Sequence, residues 1–109
     1  MKPIFQTSLL VTALMCAVAC GGASDPGVSK RMADVQGADR TATELGAQNT
    51  PRAALHLKLA REQTELAKKA SQDGEDERAA ALLDRARADA ELAISLRRQD
   101  QARQQTERR

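Results

Sequence analysis

The feature that most constrains this chain is a ladder of small residues in its second half. Ala79, Leu83, Ala86, Ala90, Ala93 and Arg97 recur at intervals of four, three, four, three and four. This is the spacing of a helix wound against a partner, and alanine on most rungs lets the partner's backbone come close. Leu82 and Ile94 flank the ladder. A second seam, mostly alanine, precedes it at Ala53, His56, Ala60, Gln63, Ala67 and Ala70. Beside that seam Leu55, Leu59 and Leu66 share a stripe, and the two sets together predict one broad buried face.

Ser71-Gln72-Asp73-Gly74 lies between the two segments and carries the turn chemistry of Asp and Gly. So short a connection makes the two helices antiparallel neighbours. The spacing predicts helices over about 51–71 and 75–105. Glu75, Asp76 and Glu77 would sit at the positive end of the second, and Lys68 and Lys69 at the negative end of the first. Upstream, Val28, Met32, Val35, Ala38, Ala42 and Leu45 repeat every three or four residues and predict a shorter helix over about 29–45. Gly37 and a run of Thr and Asp lower its intrinsic stability. Gly46 suits the position after a helix, Thr50 the cap of the next and Pro51 its first turn. The fold class expected is therefore all-α: an antiparallel hairpin preceded by a shorter helix, loosely a three-helix bundle.

Leucines, one isoleucine and alanines must hold these helices together, because the only aromatic residue is Phe5. Burying a Leu or Ile contributes about 1.5–3 kcal/mol, whereas ordering each residue costs roughly 1–2 kcal/mol of backbone entropy. A domain of this size and composition is expected to be modestly stable or to self-associate through its leucine edges. Flat ligands, sugars and bases would find no aromatic platform beyond Phe5.

The first residues are of another kind. One charge, Lys2, is followed by an apolar run from Leu9 to Ala19 broken only by Thr12, which is short for a membrane span and has the length of a signal-peptide core. The run ends in Ala17-Val18-Ala19-Cys20-Gly21-Gly22. Ala-Val-Ala fits ordinary signal peptidase, while a small residue followed by Cys and Gly resembles the lipobox of bacterial lipoproteins, in which the Cys thiol becomes a thioether to diacylglycerol. Ala17 departs from that pattern, standing where Leu is commonest. The lipobox reading divides the chain into a signal peptide (1–19), a tether (20–27) and a helical domain (28–109) with a polar, Arg- and Gln-rich overhang. Cleavage falls between Ala19 and Cys20, Cys20 is lipidated and Cys16 leaves with the signal. Loss of Lys2 then leaves sixteen basic residues against fifteen acidic, close to neutrality.

Sites for chemistry are scarce. His56 is the only histidine, with no Cys or second His at metal-ligand spacing around it. A turn centred near residues 72 and 73 brings His56 opposite Asp89, a single structural contact. Asp73, Glu75, Asp76 and Glu77 do not follow the spacing of a calcium loop and are read as complementing a helix dipole. Arg97, Arg98, Arg103, Arg108 and Arg109 form the basic end of the chain, but no nucleic-acid motif accompanies them. Anionic lipid head groups or cell-wall polymers suit these arginines better, and a solvated tail is the plainest reading. Neither catalytic residues nor a cofactor, metal, nucleic acid or small-molecule substrate is expected.

Two stretches, GAQNTPRAALHLKLAREQTELAKKA and DGEDERAAALLDRARADAELAISLRRQDQA, resemble a family of short bacterial envelope lipoproteins with a helical domain of unknown function. The matching residues are Pro51, Ala54, Leu55, Leu57, Lys58, Leu59, Ala60, Arg61 and Glu62, then Ala88, Asp89, Ala90, Glu91, Leu92 and Ala93. In longer members an OmpA-like domain follows; it is not among these residues, so peptidoglycan binding is not implied.

The expectation is a non-enzymatic lipoprotein held to a membrane by its N-terminal lipid, acting as a structural or adaptor element of the envelope. It would meet an envelope protein or a second copy through its helix faces. Gly21 after Cys20, in place of an Asp retention signal, points to the outer membrane facing the periplasm. Two alternatives stay open: a non-lipidated periplasmic or secreted binding module released at Ala19, and a self-assembling coiled-coil spacer.

Overall fold

The computed structural model describes residues 25–109 and folds them into three helices: α1 (Pro26–Glu44), α2 (Pro51–Gln72) and α3 (Asp76–Glu107). One 3₁₀ turn, Ala47–Asn49, lies between α1 and α2. The expected signal peptide, the cleavage position at Ala19 and Cys20, and most of the tether fall outside the described residues.

The helix starts follow from the caps. Asp25 accepts a hydrogen bond from the Gly27 amide at 2.8 Å, and Pro26 holds the first helical position. α1 therefore begins three residues before the expected 29, and Asp25, Pro26 and Gly27 are its cap and first turn instead of tether. Gly46 ends the α1 turn at φ 78°, where an L side chain would be strained; a Cβ there would also press on Asn49 and Arg97. Gly74 has the same φ of 78° after α2, and the Glu75 amide closes on the Ala70 carbonyl at 2.8 Å. The α2–α3 connection, residues 73–75, has the expected length but lies one position later, with α2 helical through Gln72. α3 continues to Glu107, two residues past the expected 105, so the polar overhang is part of the helix.

Side-chain pairs set the register. The short turn makes α2 and α3 antiparallel, and His56 and Gln63 on α2 both reach Asp89 on α3. Arg31 meets Asp84 and Arg97 meets Leu45, offsets of 53 and 52 residues, so α1 runs parallel to α3. The start of α1 and the α2–α3 turn therefore share one end of the bundle. The α1–α2 connection lies at the other end, with α3 projecting beyond it.

Alanine dominates the interface. Ala53, Ala60 and Ala67 on α2 and Ala79, Ala86, Ala90 and Ala93 on α3 are buried, while Leu57 and Leu83 are the largest side chains fully enclosed. Val28, Val35 and Ala42, seven residues apart, carry the α1 face into this core. Both alanine seams face inward as expected, but in the α2 leucine stripe only Leu59 is half-buried. Leu55 is 55% exposed and Leu66 51%, whereas Leu57, outside that stripe, is 2% exposed. Alanine against alanine brings the helix axes toward the short end of the roughly 8–10 Å range, and a leucine row at the contact would hold them apart. α1 then covers the Leu57 side, leaving Leu55, Leu59 and Leu66 on the opposite flank of α2.

Leu57→Ala should therefore destabilise the fold by about 2–5 kcal/mol, the range for a buried leucine. Leu55→Ala should stay within about 0.5 kcal/mol of the parent, as for other surface changes. Urea unfolding followed by circular dichroism reads both; equal losses would refute this packing.

Candidate functional site

Three polar clusters and one groove are the candidates. At the α1–α2 end, Arg97 leaves the α3 seam and reaches across the bundle. Its Nε donates to the Leu45 carbonyl at 2.9 Å, and its Nη1 donates to Thr50 Oγ1 at 3.1 Å and Asp100 Oδ2 at 3.2 Å. Thr50 Oγ1 also donates to Asp100 Oδ2 at 3.1 Å. This hydroxyl was expected to cap α2, but Thr50 makes no side-chain cap because Arg97 and Asp100 engage it. Asp100 further accepts from Arg103 at 2.8 Å and Gln104 at 3.1 Å. The Arg103 guanidinium, with help from Thr50 and Arg97, holds the Asp100 carboxyl below its ordinary value.

The second cluster ties α1 to α2. Arg61 donates to both oxygens of Asp39, at 2.8 and 3.0 Å, and to Thr43 Oγ1 at 3.0 Å. These hydrogen bonds outweigh desolvation and lower the Asp39 pKa from its ordinary 3.8. Thr41 and Thr43 bond back to the carbonyls of Gly37 and Asp39, which occupies their hydroxyls within α1 without strengthening the helix.

His56 Nδ1 lies 2.9 Å from Asp89 Oδ1, and Gln63 Nε2 donates to Asp89 Oδ2 at 3.0 Å. The structure thus brings together the two residues paired from the turn position and adds Gln63, whose Oε1 is buried without a partner. Such a pair can orient an imidazole, but nucleophilic catalysis also needs a hydroxyl or thiol on the ring's other side. Among the described hydrogen bonds none joins His56 to Ser, Thr or Cys, and the arrangement is that of a structural bridge.

Where α1 and α2 diverge, an open groove of about 430 Å³ is lined by Val35, Asp39, Arg40, Arg61, Glu65 and Lys68 among others. A second hollow of about 360 Å³, bordered by Val28 and Met32, continues it past Lys68. Charged side chains already paired across much of this groove leave little of the apolar enclosure that small-molecule sites use. Among the described residues no group of His, Cys, Asp and Glu is placed to hold a metal ion, and no helix is long and apolar enough to cross a membrane.

Neither arginine cluster is legible in the residue pattern. Arg97 on a seam rung was the one available signal, since a cation there must find acceptors. Asp39–Arg61 had none, because it depends on how α1 lies against α2. Comparison with family models, with curated proteins and with solved structures finds no match for this chain. The resemblance to envelope lipoproteins rests on the residues quoted for it alone.

Arg97→Met should cost about 1–3 kcal/mol, because the part-buried Leu45 carbonyl and Thr50 hydroxyl lose their donor. Arg98→Met, on the exposed side, should cost less than about 0.5 kcal/mol. Acid should act through Asp39 and Asp100. Both have folded pKa values below the unfolded 3.8, so their contribution is present above pH 3.8 and disappears as pH falls through the folded values. Denaturant midpoints measured from pH 6 down to about pH 2 should fall below pH 4, and Asp39→Asn should flatten that slope; an unchanged slope would exclude Asp39 as a source.

Proposed function

We propose that this chain is a lipid-anchored, non-enzymatic lipoprotein of the bacterial envelope, whose helical body acts as a structural or adaptor element. One observation carries the reading: an apolar run from Leu9 to Ala19 that ends on Ala19-Cys20-Gly21. Only at that position does the chain offer a cysteine directly after a small residue at the end of a signal-like segment.

The helical body supports it. Among the described residues its core runs from Val28 to Leu96. The polar clusters clamp one helix to another, and the groove is open and charged, which suits a scaffold better than a reaction vessel. The resemblance of the hairpin segments to envelope lipoproteins points the same way.

An anchor at Cys20 would also decide which end of the body is held at the membrane. Five residues, Gly21 to Asp25, precede α1 and span at most about 18 Å when extended. The start of α1 and the α2–α3 turn would therefore lie close to the lipid. The far end of α3 would lie up to about 48 Å along the helix axis, at 1.5 Å per residue.

Mass spectrometry of the mature N-terminus should find diacylglycerol on Cys20, and globomycin should make an unprocessed precursor accumulate. Cys20→Ser should move the protein from the membrane to the soluble fraction with an unchanged helical spectrum. A mature chain beginning with an unmodified Cys20 would refute lipidation and favour the non-lipidated module.

A further inference from the structure

The flank of the hairpin that α1 does not cover has a composition of its own. Arg52, Leu55, Leu59, Glu62, Leu66 and Lys69 follow one another on α2 at intervals of three and four, so they form one stripe. On α3, Arg78, Ala81, Arg85, Ala88 and Leu92 do the same. At 100° per residue the α2 stripe lies nearly opposite Leu57, Arg61 and Lys68, which mark the side toward α1. On α3 Leu92 lies about 140° from Arg87 and about 80° from Asp84, the residues that meet α1. The two stripes flank the alanine seam on its open side.

Leu55, Leu66 and Leu92 are the large apolar side chains that stand out in solvent, at 55%, 51% and 41% exposure. Between and around them stand Arg52, Lys69, Arg78 and Arg85 against Glu62 and the half-buried Asp89, whose carboxylate is engaged by His56 and Gln63. Arg78 leans back to Glu75 at the turn, 3.2 Å away. A second copy of the chain docked on this flank would set four cations against four cations, so charge disfavours self-pairing. An anionic lipid surface matches both features. Leucines can enter the boundary between head groups and acyl chains, while Arg and Lys extend along their aliphatic stems to the phosphates. The acids Asp73, Asp76 and Glu77 collect at the turn, at the end of the strip.

We propose that this outer face of the α2–α3 hairpin is a lipid-binding surface that lays the helical body along an anionic bilayer. The proposal rests on the envelope reading only in supplying a membrane; the face is independent of Cys20.

The test uses the full chain carrying Cys16→Ser and Cys20→Ser, so that acylation cannot contribute. A single cysteine is introduced by Leu66→Cys, Leu92→Cys or, as the control on α1, Gly37→Cys, where a side chain meets open space. Each is labelled with a fluorophore and mixed with vesicles of phosphatidylcholine alone or with phosphatidylglycerol, containing a lipid-borne quencher. Circular dichroism verifies that every variant is folded. Labels at 66 and 92 should be quenched about threefold or more over the label at 37, only with phosphatidylglycerol, and the effect should weaken in high salt. Arg78→Glu with Arg85→Glu should reduce apparent affinity about tenfold or more. Equal quenching at 37 and 66, or quenching indifferent to phosphatidylglycerol, would overturn the proposal. Shielding of the label at 66 without vesicles, growing with protein concentration, would assign the face to a second copy and overturn it too. An unmodified Cys20 in cells would leave these results untouched, so the two readings fail separately.

Discussion

Close approach of α2 and α3 along their alanines is the constraint on which the remaining structure depends. Ala53, Ala60 and Ala67 meet a ladder running from Ala79 to Ala93, and side chains of one carbon let two backbones pack with little between them. The gain per residue is small, because an alanine has little apolar surface to bury. The gain in definition is larger, since only the register that sets small against small permits such contact. Bulk at a seam position would force the helices apart or the register to slip.

The other features are consequences of that contact. With the seam occupied by alanine, the larger side chains are placed to either side of it. On one side Leu57 and Leu83 are closed over by α1 through Val28, Val35 and Ala42; on the other, Leu55, Leu66 and Leu92 remain in solvent. A core so poor in volume is supplemented by polar clamps at points where helices would otherwise separate. Arg61 and Asp39 join α1 to α2, Arg31 and Asp84 join α1 to α3, and Arg97 ties the α1–α2 connection to α3. The Arg97 clamp is the most enclosed of these, its Arg97 and Asp100 side chains being only 17% and 16% exposed.

Much of this could be read from sequence, and the failures have physical causes. The alanine ladders and the three-helix order were legible because their periodicity is intrinsic to a helix. The His56–Asp89 contact followed from the position of the turn. The leucine stripe was misjudged because hydrophobicity per residue favours burying leucine, whereas close packing selected the alanine side. Asp25-Pro26 carries the same start signal as Thr50-Pro51, but the glycines around it give the stretch the composition of a linker. The Arg97 clamp draws on a loop carbonyl, which has no signature in side-chain pattern. The open, leucine-bearing flank is likewise defined only once α1 is known to cover the other side.

Methyl-to-methyl nuclear Overhauser contacts test the alanine seam most directly, since they report which side chains touch across α2 and α3. Contacts are expected between the methyls of Ala60, Ala67 and Ala70 and those of Ala79, Ala86 and Ala90. Leu55 and Leu66 should show no dense set of contacts to α3. A spectrum in which those leucines carry the interhelical contacts, with the alanine methyls silent, would contradict the seam and the outward placement of the leucines together.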